Sequence, residues 1–123
     1  MKKKKLLVVL ATADPQVPAE VMSPIFQLTV AAAMDHDAEL LLTGRSVQLA
    51  VAGEAAAIAA GGDDGRTLHD LIREAHAAGV TIKRCTPNLE QWGTELIAEI
   101  DETVGSSYLV GEVMDNQKVT LTY

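Results

Sequence analysis

Residues 6–11, Leu-Leu-Val-Val-Leu-Ala, form an unbroken aliphatic run. Such a run without polar alternation predicts a strand buried on both faces, as in a parallel sheet. Pro15 and Pro18 then break regular structure. Ser23 followed by Pro24 predicts an N-cap with proline at the first helical position. That helix continues through Phe26, Leu28, Ala31, Ala32 and Met34, with His36 just beyond it. Residues 38–42 read as a second strand, Thr43-Gly44 as a turn and residues 45–60 as an alanine-rich helix. The segment Gly61-Gly62-Asp63-Asp64-Gly65 reads as a flexible loop. Thr67-Leu68-His69-Asp70 has the form of a capping box with Asp in place of Glu. Leu68, Leu71, Ile72 and Ala75 follow at helical spacing, and Gly79 closes that helix. Residues 80–84 read as a third strand that runs into Cys85. Residues 88–92 predict a short helix, and residues 95–100 fit a strand and a helix equally well. Ser106-Ser107 can cap a helix through Met114, and residues 118–123 alternate as a final strand.

Strands and helices therefore alternate, with about five strands. This order predicts an α/β fold: a parallel sheet covered by helices on both faces. Residues 1–123 form a single domain, long enough to build a real core. Apolar residues make up 48% of the chain but aromatics only 3%, so that core is aliphatic.

The net charge of −7 argues against nucleic acid as a partner, because phosphate binding needs a basic surface. A partner with a basic patch suits it better. One cysteine cannot form an internal disulfide, which fits a cytoplasmic protein. Lys2 to Lys5 before the apolar run, with Ala11-Thr12-Ala13 after it, imitate a signal peptide. The run is short for that purpose, and the strand with a solvated lysine lead-in is the preferred reading. No stretch reaches membrane-spanning length, so no membrane is expected.

The loop after the first strand, Thr12-Ala13-Asp14-Pro15, has no glycines and carries an acid where a phosphate would sit. Neither GxGxxG nor GxxxxGK[ST] is present. A flavin- or nucleotide-binding module is thus an alternative without a motif, and no cofactor is expected. His36, His69 and His76 lack ligand spacing and read as solvated surface, so no metal is expected. No GxSxG elbow is present. Cys85 remains. It stands where a strand ends and a helix is expected to begin, the crevice where ligands collect in open α/β sheets. A helix N-terminus and the cationic neighbours Lys83 and Arg84 would favour thiolate over thiol. Against this, a lone cysteine is commonly a small buried hydrophobe.

Leu68-His69-Asp70-Leu71-Ile72 and then Ala78-Gly79-Val80-Thr81-Ile82-Lys83-Arg84-Cys85 resemble the DsrE-like family. The stretch from Ala31 to Glu39, followed by Leu41-Leu42-Thr43-Gly44, is similar to the family's second strand and turn. The ending Lys118-Val119-Thr120-Leu121-Thr122-Tyr123 is similar to its last strand. The resemblance spans nearly the whole chain through the order and spacing of these pieces. It implies a five-stranded, flavodoxin-related α/β fold that assembles into homotrimers or homohexamers. It also implies sulfur relay: Cys85 holds sulfane sulfur as a persulfide and exchanges it with donor and acceptor proteins, as in sulfur oxidation or tRNA thiolation. Only Cys85 carries over as the active residue. Lys83, Arg84, Asn88 and Trp92 are its candidate substrate-side neighbours. Some members lack the cysteine, and a non-catalytic subunit of a sulfur-relay complex is the second alternative.

Overall fold

The computed structural model describes residues 4–62, 64–86 and 92–123. Five strands, β1 (Lys5–Leu10), β2 (Asp37–Leu42), β3 (Thr81–Cys85), β4 (Glu102–Val104) and β5 (Lys118–Thr122), form one sheet in the order β4-β3-β2-β1-β5. Every pairing is parallel. Three α-helices accompany them: α1 (Ala19–Ala33), α2 (Leu68–Ala77) and α3 (Ser106–Val113). No described helix is long and apolar enough to cross a membrane.

The continuous aliphatic runs work because successive side chains in a strand point to opposite faces. Val8 and Leu10 join Leu40, Leu42 and Ile82 in the larger core, beneath α1 and α2. Leu7 and Val9 point the other way and join Leu41, Cys85 and Val104 in a smaller apolar patch. Tyr108 and Leu109 of α3 pack on that patch. Helices thus cover both faces, two on one and one on the other.

The capping box forms as its residues predict. Asp70 N–H donates to Thr67 Oγ1 at 3.3 Å, and Thr67 N–H donates to Asp70 Oδ2 at 2.8 Å. Gly79 follows the helix with a φ of 109°, in the left-handed region open to glycine.

Several expectations need correction. The first helix begins at Ala19, not after Ser23, and Pro24 lies inside it. That proline forfeits one helical hydrogen bond, and its ring is buried. The alanine-rich helix over residues 45–60 does not form. Its place is taken by 3-10 turns at Gly44–Ala50 and Ala55–Ala57. Tertiary hydrogen bonds outweigh alanine's propensity there: Ala52 N–H donates to the Glu95 carbonyl at 2.7 Å and Ile97 N–H to that of Ala50 at 2.9 Å. Gly53, at φ 88°, is also outside helical space. Residues 95–100 are neither strand nor helix beyond a single bridge, Val51 to Leu96. The fourth strand lies just after them. Gly105, not a serine, is the N-cap of α3, and it supplies no side-chain cap. The expected helix over residues 88–92 falls outside the described residues except for Trp92, which lies half-buried in a turn.

Candidate functional site

The described part of the connection from β3 to β4 and the connection from β4 to β5 lie on opposite faces of the sheet. After β3, Ile97 joins the core under α1 and α2, and Asp101 N–H donates to the Ile82 carbonyl at 2.7 Å. After β4 the chain enters α3 on the other face. The carboxyl ends of neighbouring strands whose connections take opposite faces are the usual ligand position in open α/β sheets. Cys85 is the last residue of β3 and pairs in register with Val104, the last residue of β4. Thr86 N–H then donates to the Val104 carbonyl at 2.9 Å and ties the two ends together.

Cys85 points to the α3 face. It is 6% exposed and packs in the patch of Leu7, Val9, Leu41 and Val104. The start of α3 follows Val104, the β4 residue paired with Cys85. Among the described residues, no side chain caps its first turn.

Lys83 lies two residues before Cys85 and shares its face, but its ammonium is engaged elsewhere. Nζ donates to Tyr108 Oη at 2.7 Å, lies 3.3 Å from Glu39 Oε1 and 3.2 Å from Glu102 Oε1, and sits 4.3 Å from the centre of the Tyr108 ring. Arg84 points to the opposite face. Its Nε donates to Thr103 Oγ1 at 2.9 Å and its Nη1 to the Cys85 carbonyl at 3.5 Å. It braces the backbone at Cys85 rather than the thiol. Asn88 lies outside the described residues.

A second set of residues on the α3 face escapes a reading of the sequence. Glu39 is 1% exposed. Its carboxylate accepts hydrogen bonds from Lys5 Nζ at 2.7 Å and from Tyr108 Oη at 2.8 and 2.7 Å. Glu112, also buried, pairs with Lys5 at 3.2 Å and with Lys118. Lys5 is therefore part of an inner ion network, not of a solvated lead-in. Burial, aided by the bond to Glu39, pushes the Tyr108 phenol well above its ordinary pKa, so it remains a hydrogen-bond donor. Burial and the charges of Lys5 and Lys83 push the Lys118 ammonium down. The available signal was Glu39, an acid between apolar neighbours inside the strand Asp-Ala-Glu-Leu-Leu-Leu, with a lysine inside β3 to answer it.

His69 and His76 are not simply solvated. His69 Nε2 lies 2.8 Å from Glu99 Oε1 and His76 Nε2 lies 3.0 Å from Asp101 Oδ1, which ties α2 to the segment before β4. Among the described residues, no group of three or more His, Cys, Asp or Glu side chains is placed to hold a metal ion.

No family model matches the chain, and no curated protein is significantly similar to it in sequence. Several solved structures share its fold. The ychN protein from E. coli superimposes with a TM-score of 0.75 at 17% identity, over 98% of this chain and 99% of that one. A conserved protein of unknown function from Bacteroides thetaiotaomicron superimposes with a TM-score of 0.64 at 17% identity, over 98% and 95%. At these identities the likeness is one of fold: this chain has the single-domain, all-parallel α/β architecture of the ychN protein.

Proposed function

We propose that this protein is a DsrE-like sulfur carrier of the cytoplasm, which holds sulfane sulfur on Cys85 and passes it to a partner protein. The observation that carries this reading is the position of Cys85 at the carboxyl end of β3, beside the end of β4, between connections that lie on opposite faces of the sheet. In the loading step the Cys85 thiolate attacks the terminal sulfur of a donor persulfide. The donor's S–S bond breaks, the donor leaves as a thiolate, and Cys85–S–SH forms. In the delivery step an acceptor thiolate attacks the outer sulfur of Cys85–S–SH, and Cys85 returns as the thiolate. No oxidant or cofactor enters either step. Arg84, Asn88 and Trp92 are assigned to the incoming partner, and Lys83 acts at one remove, through Tyr108 and Glu39. The acidic chain suits donors and acceptors with basic patches. Homotrimers or homohexamers belong to the same reading. Phe26 and Val30 on α1, Met34 at its C-cap, and Val119 and Leu121 on β5 are exposed and give further copies an apolar surface to cover.

The test is loading. The protein is incubated with polysulfide or thiosulfate and its intact mass is measured. Added sulfur that is lost on reduction and absent from Cys85→Ala supports the carrier. A wild type left unmodified by every sulfane donor overturns it.

The burial of Cys85 favours a second reading, a non-catalytic subunit in which the thiol only fills space. Resistance of the native thiol to both alkylation and sulfane donors would select it.

A further inference from the structure

The three helices are held down by different forces. α1 buries Val21, Pro24, Ile25, Leu28 and Ala31, and α2 buries Leu68, Ile72 and Ala75. In α3 the buried residue is Glu112. Its outer side exposes Val110, Val113 and Met114, and its inner Tyr108 and Leu109 are only half-buried. Helix docking ordinarily rests on an apolar stripe. Here two polar latches one turn apart do most of the holding: Tyr108 to Glu39, and Glu112 to Lys5 and Lys118. Both lysines keep about a fifth of their side chains in water, 20% and 21%, so solvent can take over their ammonium groups when the latch breaks. An element with so little apolar burial belongs to the low end of the local stability scale.

Opening the first latch leaves no bare charge. Glu39 keeps Lys5 at 2.7 Å and Lys83 at 3.3 Å without Tyr108. The patch beneath α3 contains Cys85.

We propose that α3 is a hinged cover over Cys85, released as a unit when the Tyr108–Glu39 and Glu112–lysine latches break, and that this local opening exposes the thiol. Gly105 on one side and the turn after Met114 on the other are the hinge points. The purpose of the cover rests on the sulfur-carrier reading, while its mechanics do not. It reconciles a buried thiol with transfer between proteins: Cys85–S–SH stays sealed from water and stray thiols until α3 lifts.

Cys85 is the sole cysteine, so alkylation of the native protein by iodoacetamide reports on one site. Tyr108→Phe, which removes one latch, is expected to raise the labelling rate at least about tenfold. Ile72→Val, in the opposite core beneath α2, is expected to lower the urea midpoint yet leave the labelling rate unchanged. An increase with Ile72→Val in proportion to its lost stability would mean that the thiol appears only on global unfolding, and the cover would be refuted. An unchanged rate in Tyr108→Phe would refute it equally. Labelling that follows the latch in a protein that takes up no sulfane sulfur would leave the cover standing and remove the carrier. Sulfur loading with no response to Tyr108→Phe would do the reverse.

Discussion

Tyr108 reaches from α3 to set its phenol against both oxygens of Glu39, at 2.8 and 2.7 Å. Glu39 sits inside a strand whose other inward positions are aliphatic. An ionised carboxylate there is tolerable because Lys5, Lys83 and the phenol together satisfy it. The α3 face of the sheet is consequently half oil and half ion network, with Cys85 in the oily part.

Glu39→Gln removes the charge that two part-buried lysines answer. Breaking one partner of a buried ion network costs about 3–5 kcal/mol. Urea denaturation should register a loss of that order. A loss below about 1 kcal/mol would mean that both ammonium groups swing out to water unaided.

Gly44 follows β2 with a φ of 59°, and a Cβ there would lie 2.4 Å from the Ala11 carbonyl oxygen. That oxygen belongs to backbone and cannot step aside cheaply. Gly44→Ala should therefore destabilise the fold by about 1–3 kcal/mol, more than a helix-propensity gain returns. Thermal and urea midpoints both check this, and an unchanged midpoint would rule out the close approach.

Cys85 lies among aliphatic side chains, so its replacements should rank by polarity. Cys85→Ala costs only a small cavity. Cys85→Ser puts a hydroxyl into an apolar patch and should cost about 1–3 kcal/mol. If serine proves the milder change, the thiol sits in a wetter place than the patch of Leu7, Val9 and Leu41 implies.

Asp101 accepts a hydrogen bond from Ile82 N–H at 2.9 Å and lies 3.0 Å from His76 Nε2. Burial pushes its carboxyl pKa up, but the Ile82 N–H and His76 outweigh it and hold the pKa below the ordinary value. Burial of Glu99 is outweighed in the same way by His69. A carboxyl whose pKa falls on folding adds stability above its unfolded pKa, and that stability vanishes as pH drops through the folded value. Stability should decline below about pH 4, and Asp101→Asn should flatten part of that decline. The effect is modest, because the His76 and Asp101 side chains are 37% and 39% exposed. Urea midpoints across a pH series test it, with identical acid limbs in both proteins as the contrary result.

Long-period signals translated into structure where local chemistry and packing agreed. The aliphatic run at the start became β1, the Thr67–Asp70 box capped α2, and Gly79 closed it. Where they disagreed, packing prevailed. The alanines after Arg45 favour helix, but the backbone of Ala50 and Ala52 is claimed by Ile97 and Glu95 from a distant segment. β4 was hidden because two of its three residues, Glu102 and Thr103, are polar and exposed.

The order of residues alone decided that this chain is an aliphatic, single-cysteine α/β domain with its thiol at the end of a strand, because hydrophobic period and strand-ending position are local properties. It could not decide which helix covers that thiol or which charges meet beneath it. Parallel pairing joins Cys85 to Val104, and a crossover brings Tyr108 to Glu39, 69 positions apart in the chain. Contacts of that span arise only when strands take their neighbours. Among the described helices, the one that packs over Cys85 is therefore the one after β4.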